Sequence, residues 1–127
     1  MYIDFLCIEN LCLWRFMDTE LLKDTLTLLI LSLLSRKPMY GYEIASTVHS
    51  DTSGAFTWRE GSLYPSLHKL EANGLITGEW EETDGGRKRK VYHITPRGRE
   101  ALDEKQRSWT ELQAAVNCVL EKSHGQA

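Results

Sequence analysis

Apolar and polar positions alternate along this chain in four helical periods and one pair of extended runs. From Asp18 to Ser35, Leu22, Leu26, Leu29, Ile30 and Leu33 recur at i, i+4, i+7, i+8 and i+11, the spacing of one helix face. Leu21, Leu28, Leu31 and Leu34 make that helix apolar nearly all round. In so small a chain, this predicts cover from a partner subunit. Arg36-Lys37-Pro38 stops it, because cations suit the negative end of a helix dipole and proline cannot continue the turn. Tyr40-Gly41-Tyr42-Glu43-Ile44-Ala45 opens a second helix running to about Ser50, with Ile44, Ala45 and Val48 on its core face. The polar connection DTSGAFTWREG then leads into GSLYPSLHKLEANGLI, Gly61 to Ile76. There Leu63, Leu67 and Leu70 form the apolar stripe and leave Ser62, Tyr64, Ser66, His68 and Lys69 off it. Ser62 reads as the N-cap, Pro65 as a first-turn proline, and Asn73-Gly74 as the stop.

After that third helix comes a hairpin. ITGEWEE is one extended run, TDGG is the turn, and RKRKVYHIT returns. Thr95-Pro96 caps the last helix, with Thr as N-cap and Pro at the first helical position. That helix, roughly Arg97 to Glu121, spaces Leu102, Trp109 and Val116 seven residues apart, with Leu112 and Val119 on a matching seam that Lys105 interrupts. Little chain remains to cover this stripe, so self-association is the expectation. Its interface would be Leu22, Leu26, Leu102, Trp109, Leu112, Val116 and Val119. Residues 122–127 read as a disordered tail.

The 127 residues suit one domain with a modest core. A formal charge of −3 argues against a basic coat, so any contact with nucleic acid must come from a local patch. The one dense basic run is Arg87, Lys88, Arg89 and Lys90, directly after the hairpin turn. Cys7, Cys12 and Cys118 cannot all pair and have no metal-like spacing with His, so a reduced, cytoplasmic setting is expected, with no metal and no cofactor. The apolar run Leu26 to Leu34 is too short to span a bilayer, and the N-terminus lacks the marks of a signal peptide. Residues 1–16 lack a clean period, whereas Met17 is followed at once by one. Met17 is therefore a candidate start, with residues 1–16 an upstream extension; the alternative is an extra helix packed on the domain. No paired carboxylates, nucleophile–base pair or metal-ligand set is present, and His49, His68, His93 and His124 are scattered, so an enzyme is not expected.

Three helices followed by a basic-tipped hairpin predict a mainly α (α+β) fold. It would be a winged helix-turn-helix domain over residues 17–96, with a two-stranded β-hairpin wing, and a long C-terminal dimerisation helix over 97–121. In such a plan the third helix enters the major groove and the wing touches phosphates or the minor groove. Phosphate contacts give affinity without sequence information, a role that suits Arg87, Lys88, Arg89 and Lys90; Ser62, Tyr64, His68 and Lys69 can hydrogen-bond base edges. Pro65 joins this surface as Tyr64's neighbour, and Tyr64 either touches DNA or only packs beside it. Tyr40 and Gly41, at the start of the second helix, either lend backbone N–H groups to a phosphate or form a packing turn. Trp58 and Trp80 read as core or hairpin packing. Cys118 is a candidate oxidant sensor, although an inert thiol is the simpler reading.

The segments YGYEI (Tyr40 to Ile44), GSLYPSLHKLEANGLI, the hairpin Trp80, and GGRKRKVYHITPRGRE together resemble the PadR-like transcriptional regulators, from about Leu21 to the end. Residues 1–16 have no counterpart there. The single C-terminal helix resembles the small branch of that family, which includes multidrug-responsive repressors. The resemblance implies a homodimer that binds operator DNA and is relieved by an aromatic or hydrophobic small molecule. It also implies that Trp109, in RSWTEL, stacks on that ligand across the dimer axis; a plain dimer-core tryptophan is its other use. The competing class of function is a protein–protein module that keeps the winged-helix scaffold without reading DNA.

Overall fold

The computed structural model describes residues 19–124 except residue 59, with side chains from Thr25 onward except at residue 60. The element order is α1 (Thr19–Arg36), β1 (Met39–Tyr40), α2 (Gly41–Asp51), α3 (Glu60–Ala72), β2 (Ile76–Glu82), β3 (Lys88–Ile94) and α4 (Pro96–His124). Met17, residues 1–16, Cys7, Cys12 and the side chains of Leu21 and Leu22 lie outside the described part.

α1 lies at the centre. Leu26, Ile30, Leu31, Leu33 and Leu34 are all buried, more of its circumference than one stripe would cover, because it packs against α2, α3, β3 and α4. Much of the cover expected from a partner thus comes from the chain's own elements. Leu26 and Leu102, both expected at the dimer interface, belong instead to this internal core. Arg36 at the end of α1 pairs with Asp51 at the end of α2 (2.8 Å), an exposed bridge that contributes little beyond holding two helix ends in register.

Tyr40 does not belong to α2. Met39 and Tyr40 form a short strand paired with Tyr92 and Val91, so the expected two-stranded hairpin is part of a three-stranded antiparallel sheet ordered β1-β3-β2. Met39 is buried and closes the core beneath the sheet. α2 then starts at Gly41 and buries Gly41, Ile44 and Val48. Beyond it, the Thr52 hydroxyl donates to the Val48 carbonyl (2.7 Å) and accepts from the Phe56 N–H (3.1 Å), which turns the chain so that Trp58 enters the core edge-on to Phe56.

α3 begins two residues before Ser62, so Ser62 lies inside the first turn and is not its N-cap. Pro65 is consequently the sixth helical residue, beyond the first turn. Its missing N–H deprives the Gly61 carbonyl of the usual donor, at an exposed position where water can serve. Leu63, Leu67 and Leu70 are buried as the spacing requires. The stop is a Schellman arrangement: Gly74, at φ 77°, donates to Glu71 and Leu75 donates to Leu70, both at 3.0 Å.

Ile76↔Ile94 through Glu82↔Lys88 sets the hairpin register, and the turn uses Gly85 and Gly86 at positive φ. Thr95 caps α4 as expected, its hydroxyl accepting from the Gly98 N–H (3.0 Å) and reaching the Gly74 carbonyl (2.7 Å). α4 runs to His124, three residues past the expected end, so part of the expected tail is helical. At a rise of about 1.5 Å per residue it is roughly 43 Å long. From Asp103 to His124 every residue except Lys105 is exposed.

Candidate nucleic-acid interface

α3 presents Ser62, Pro65, His68 and Lys69 to solvent, while Tyr64 lies half-buried across the start of α2. A Cβ on Gly41 would stand 3.0 Å from Tyr64 Cε1 and 3.1 Å from its hydroxyl, so glycine is what lets the ring lie flat there. The expected phosphate site at this helix start is already taken. The Tyr40 N–H donates to Glu43 Oε1 (3.1 Å), and Gly41 is buried. A carboxylate thus holds the position at which a phosphate would be attracted.

The four cations of Arg87–Lys90 are not equivalent. Only Arg87 stays with the turn, its carbonyl accepting from the Thr83 N–H; Lys88, Arg89 and Lys90 lie in β3. The Arg89 guanidinium lies 4.1 Å from the Tyr40 ring centre and donates to the Tyr42 hydroxyl (2.8 Å). Tyr40 and Tyr42 stack in parallel at 5.8 Å, and the Tyr40 hydroxyl donates to Glu81 Oε2 (2.9 Å). That bond to a carboxylate, with burial and the charge of Glu81 adding to it, raises the Tyr40 pKa and keeps the phenol protonated. Lys90 pairs with Glu71 (2.9 Å), and this hydrogen bond raises its pKa against the opposing effect of burial. Burial likewise raises the Tyr92 phenol. Arg87 and Lys88 remain exposed, with no ion pair among the described residues.

The wing also carries Glu79, Glu81, Glu82 and Asp84, as many acids as it has Arg and Lys. Its basic strand is paired in register with an acidic one, Glu81 opposite Arg89 and Glu82 opposite Lys88. Between the wing and α3 lies an open cleft of about 410 Å³ that gathers Tyr40, Gly41, Tyr64, His68 and Lys88–Lys90 from the expected set. Ser62, Pro65, Lys69 and Arg87 lie outside its lining. Three residues that sequence reasoning did not place here complete it, Tyr42, Trp80 and Tyr92. Trp80 is 67% exposed and is not core; the alternation Ile76, Gly78, Trp80 beyond the end of the core was the available signal.

On the opposite element, α4 exposes Trp109, Leu112, Val116 and Val119, joined by Leu120, which completes the stripe one helical turn after Val116. A hollow of about 360 Å³ between α1 and α4 has Leu28, Ala101, Glu104, Lys105, Trp109 and Leu112 among its lining residues. Cys118 is free and exposed. Among the described residues no helix is long and apolar enough to cross a membrane, and no group of His, Cys, Asp and Glu is placed to hold a metal ion.

Residues 30–104 match the model of the transcriptional regulator PadR-like family. A solved PadR-like transcriptional regulator from Bacillus cereus is 36% identical, covering 81% of this chain and 98% of its own, with a TM-score of 0.69. A PadR family regulator from Eggerthella lenta is 31% identical over 94% of this chain and 96% of its own, with a TM-score of 0.70. A transcriptional regulator of Mycobacterium tuberculosis is 52% identical over 56 residues, which is 44% of this chain and 51% of that protein.

Proposed function

The chain belongs to the PadR-like family of transcriptional regulators, and from that premise we propose that it acts as a cytoplasmic homodimeric repressor that reads duplex DNA through α3 and the wing. The observation that carries this reading is the placement of the exposed His68 and Lys69 of α3 beside a hairpin that holds Arg87 and Lys88 free. α3 supplies donors and acceptors for base edges, and the two free cations supply phosphate contacts.

Dimerisation follows from α4. Trp109, Leu112, Val116, Val119 and Leu120 form an apolar stripe left exposed among the described residues, on a helix long enough to lie along a second copy. Two α3 helices held across a twofold axis would meet half-sites about 34–36 Å apart. The hollow beside Trp109 is the proposed seat of an aromatic or hydrophobic effector. Because α1 packs on both α4 and α3, a ligand wedged between α1 and α4 favours dimers whose reading helices no longer fit both half-sites. Operator binding measured on the DNA upstream of the gene, against salt, tests the reading. Affinity should fall linearly on a log–log plot, by about 0.9 for each neutralised phosphate.

The wing's balanced charge favours a second reading, a winged-helix module that docks on protein. Such a module would show no affinity for the upstream DNA at low salt.

A further inference from the structure

Resting on the DNA-binding reading, we propose that Lys90 is a positioning residue. With Glu71 and Gly78 it forms a clasp that fixes the wing against α3, and it does not contact phosphate.

Lys90 lies opposite Trp80 in the hairpin register, yet its ammonium leaves the hairpin and meets Glu71 Oε1, in the last turn of α3, at 2.9 Å. To get there its stem crosses β2 at Gly78, which shares a sheet face with Trp80. A Cβ on Gly78 would overlap Lys90 Cε and stand 3.2 Å from Glu71 Oε2. Only glycine leaves this crossing open. The ammonium also lies 5.8 Å from the Trp80 ring centre and 5.5 Å from that of Tyr92, within cation–π reach of both. With side-chain exposures of 22% and 32%, the Lys90–Glu71 pair is shielded more than an open surface bridge and is less screened by salt. The same two side chains tie the C-terminal end of the reading helix to the middle of the wing. They therefore set the separation between His68 and Lys69 on one side and Arg87 and Lys88 on the other. Lys90 differs in kind from Arg87 and Lys88, which have no such partner among the described residues.

The test measures affinity of the full chain for its upstream DNA by fluorescence anisotropy in Glu71→Ala and Gly78→Ala, alongside amide exchange across the hairpin. Glu71→Ala removes a negative charge from the reading helix, so charge alone would tighten binding. Gly78→Ala changes no charge and releases the Lys90 ammonium to reach a phosphate. The clasp predicts the opposite sign for both: affinity falls about fivefold or more, and the amides of β2 and β3 exchange faster. Affinity unchanged or raised in either variant overturns the proposal. Should Gly78→Ala fail to fold, Glu71→Ala decides alone. Should the wild type bind no DNA, the functional reading fails separately, and the exchange data still decide the clasp: unchanged hairpin exchange in Glu71→Ala overturns it.

Discussion

The Arg89 guanidinium rests 4.1 Å from the centre of the Tyr40 ring, so this cation is used inside the molecule while its neighbours Arg87 and Lys88 stay free. Replacing Arg87 and Lys88 together by Ala should weaken binding to every duplex alike. It should also lower the log–log salt slope by about 2, one unit or slightly less for each lost phosphate contact. Arg89→Ala should behave differently. The slope should stay close to that of the wild type, while the domain loses about 1 kcal/mol from the cation–π contact and the bond to Tyr42. Salt titrations and urea unfolding of the two variants make the comparison, and a slope that falls equally in both would remove the distinction.

Gly41 and Tyr64 form a second dependent pair. A methyl on Gly41 pushes on the ring at 3.0–3.2 Å, tighter than ordinary contact, and the half-buried ring must give way. Gly41→Ala should therefore destabilise the domain by about 1–3 kcal/mol, the usual range for overpacking. In a Tyr64→Ala background the same substitution should be close to neutral. Denaturant unfolding of the four-protein cycle measures the coupling, and additive effects would show that the two residues are independent.

The helices were legible because their signals are local. Leu63, Leu67 and Leu70 mark one face by spacing alone, and Thr95-Pro96 marks a start by two adjacent residues. β1 was not legible, since a two-residue strand has no period of its own and its partners Val91 and Tyr92 lie some fifty residues on. Ser62 looked like a cap because it precedes the leucine stripe, but the helix is extended upstream to Glu60, beside the buried Trp58. The basic run looked uniform because sequence order does not show which of its cations the fold leaves free. It also hides the partners, Glu71 for Lys90 and Tyr42 for Arg89, which only the fold brings near. Of the α4 stripe, Trp109, Leu112, Val116 and Val119 are exposed, whereas Leu102 is drawn into the core by α1.

Alkaline pH should loosen the wing before neutral or mildly acidic pH does. Tyr40, Lys90 and Tyr92 all have folded pKa values raised above their ordinary ones, for the first two by hydrogen bonds to Glu81 and Glu71 and for the third by burial. In each case the folded state holds its proton more tightly than the unfolded chain. The stabilisation is therefore complete below the ordinary value, about pH 10, and is lost as pH climbs through the raised one. Melting temperature measured from pH 8 to 12 should be flat at first and then fall. Tyr40→Phe cannot donate to Glu81, so its melting curve should start lower and lose less above pH 10. An identical alkaline fall in wild type and variant would exclude Tyr40 as a contributor.

The proposed dimer stripe and the proposed effector hollow on α4 can be tested apart at Val116 and Trp109, which lie two helical turns apart, because of the two only Trp109 lines the hollow against α1. Val116→Glu places a charge in the middle of the apolar stripe, and in a dimer each copy brings it against the other. Burying two unpaired carboxylates costs several kcal/mol, so the protein should sediment as a monomer. Its affinity for a two-half-site operator should drop to that of a single half-site. Trp109→Ala removes ring surface from the hollow without adding charge, and α1 and the core beneath it keep their packing. Operator binding should persist in that variant, while release by flat aromatic compounds weakens by about tenfold or more, the loss expected for a large aromatic contact in a small-molecule site. Sedimentation and anisotropy on both variants give the answer together. A Trp109→Ala protein that is still released at wild-type effector concentrations would move the effector site away from α4, leaving the stripe to dimerisation alone.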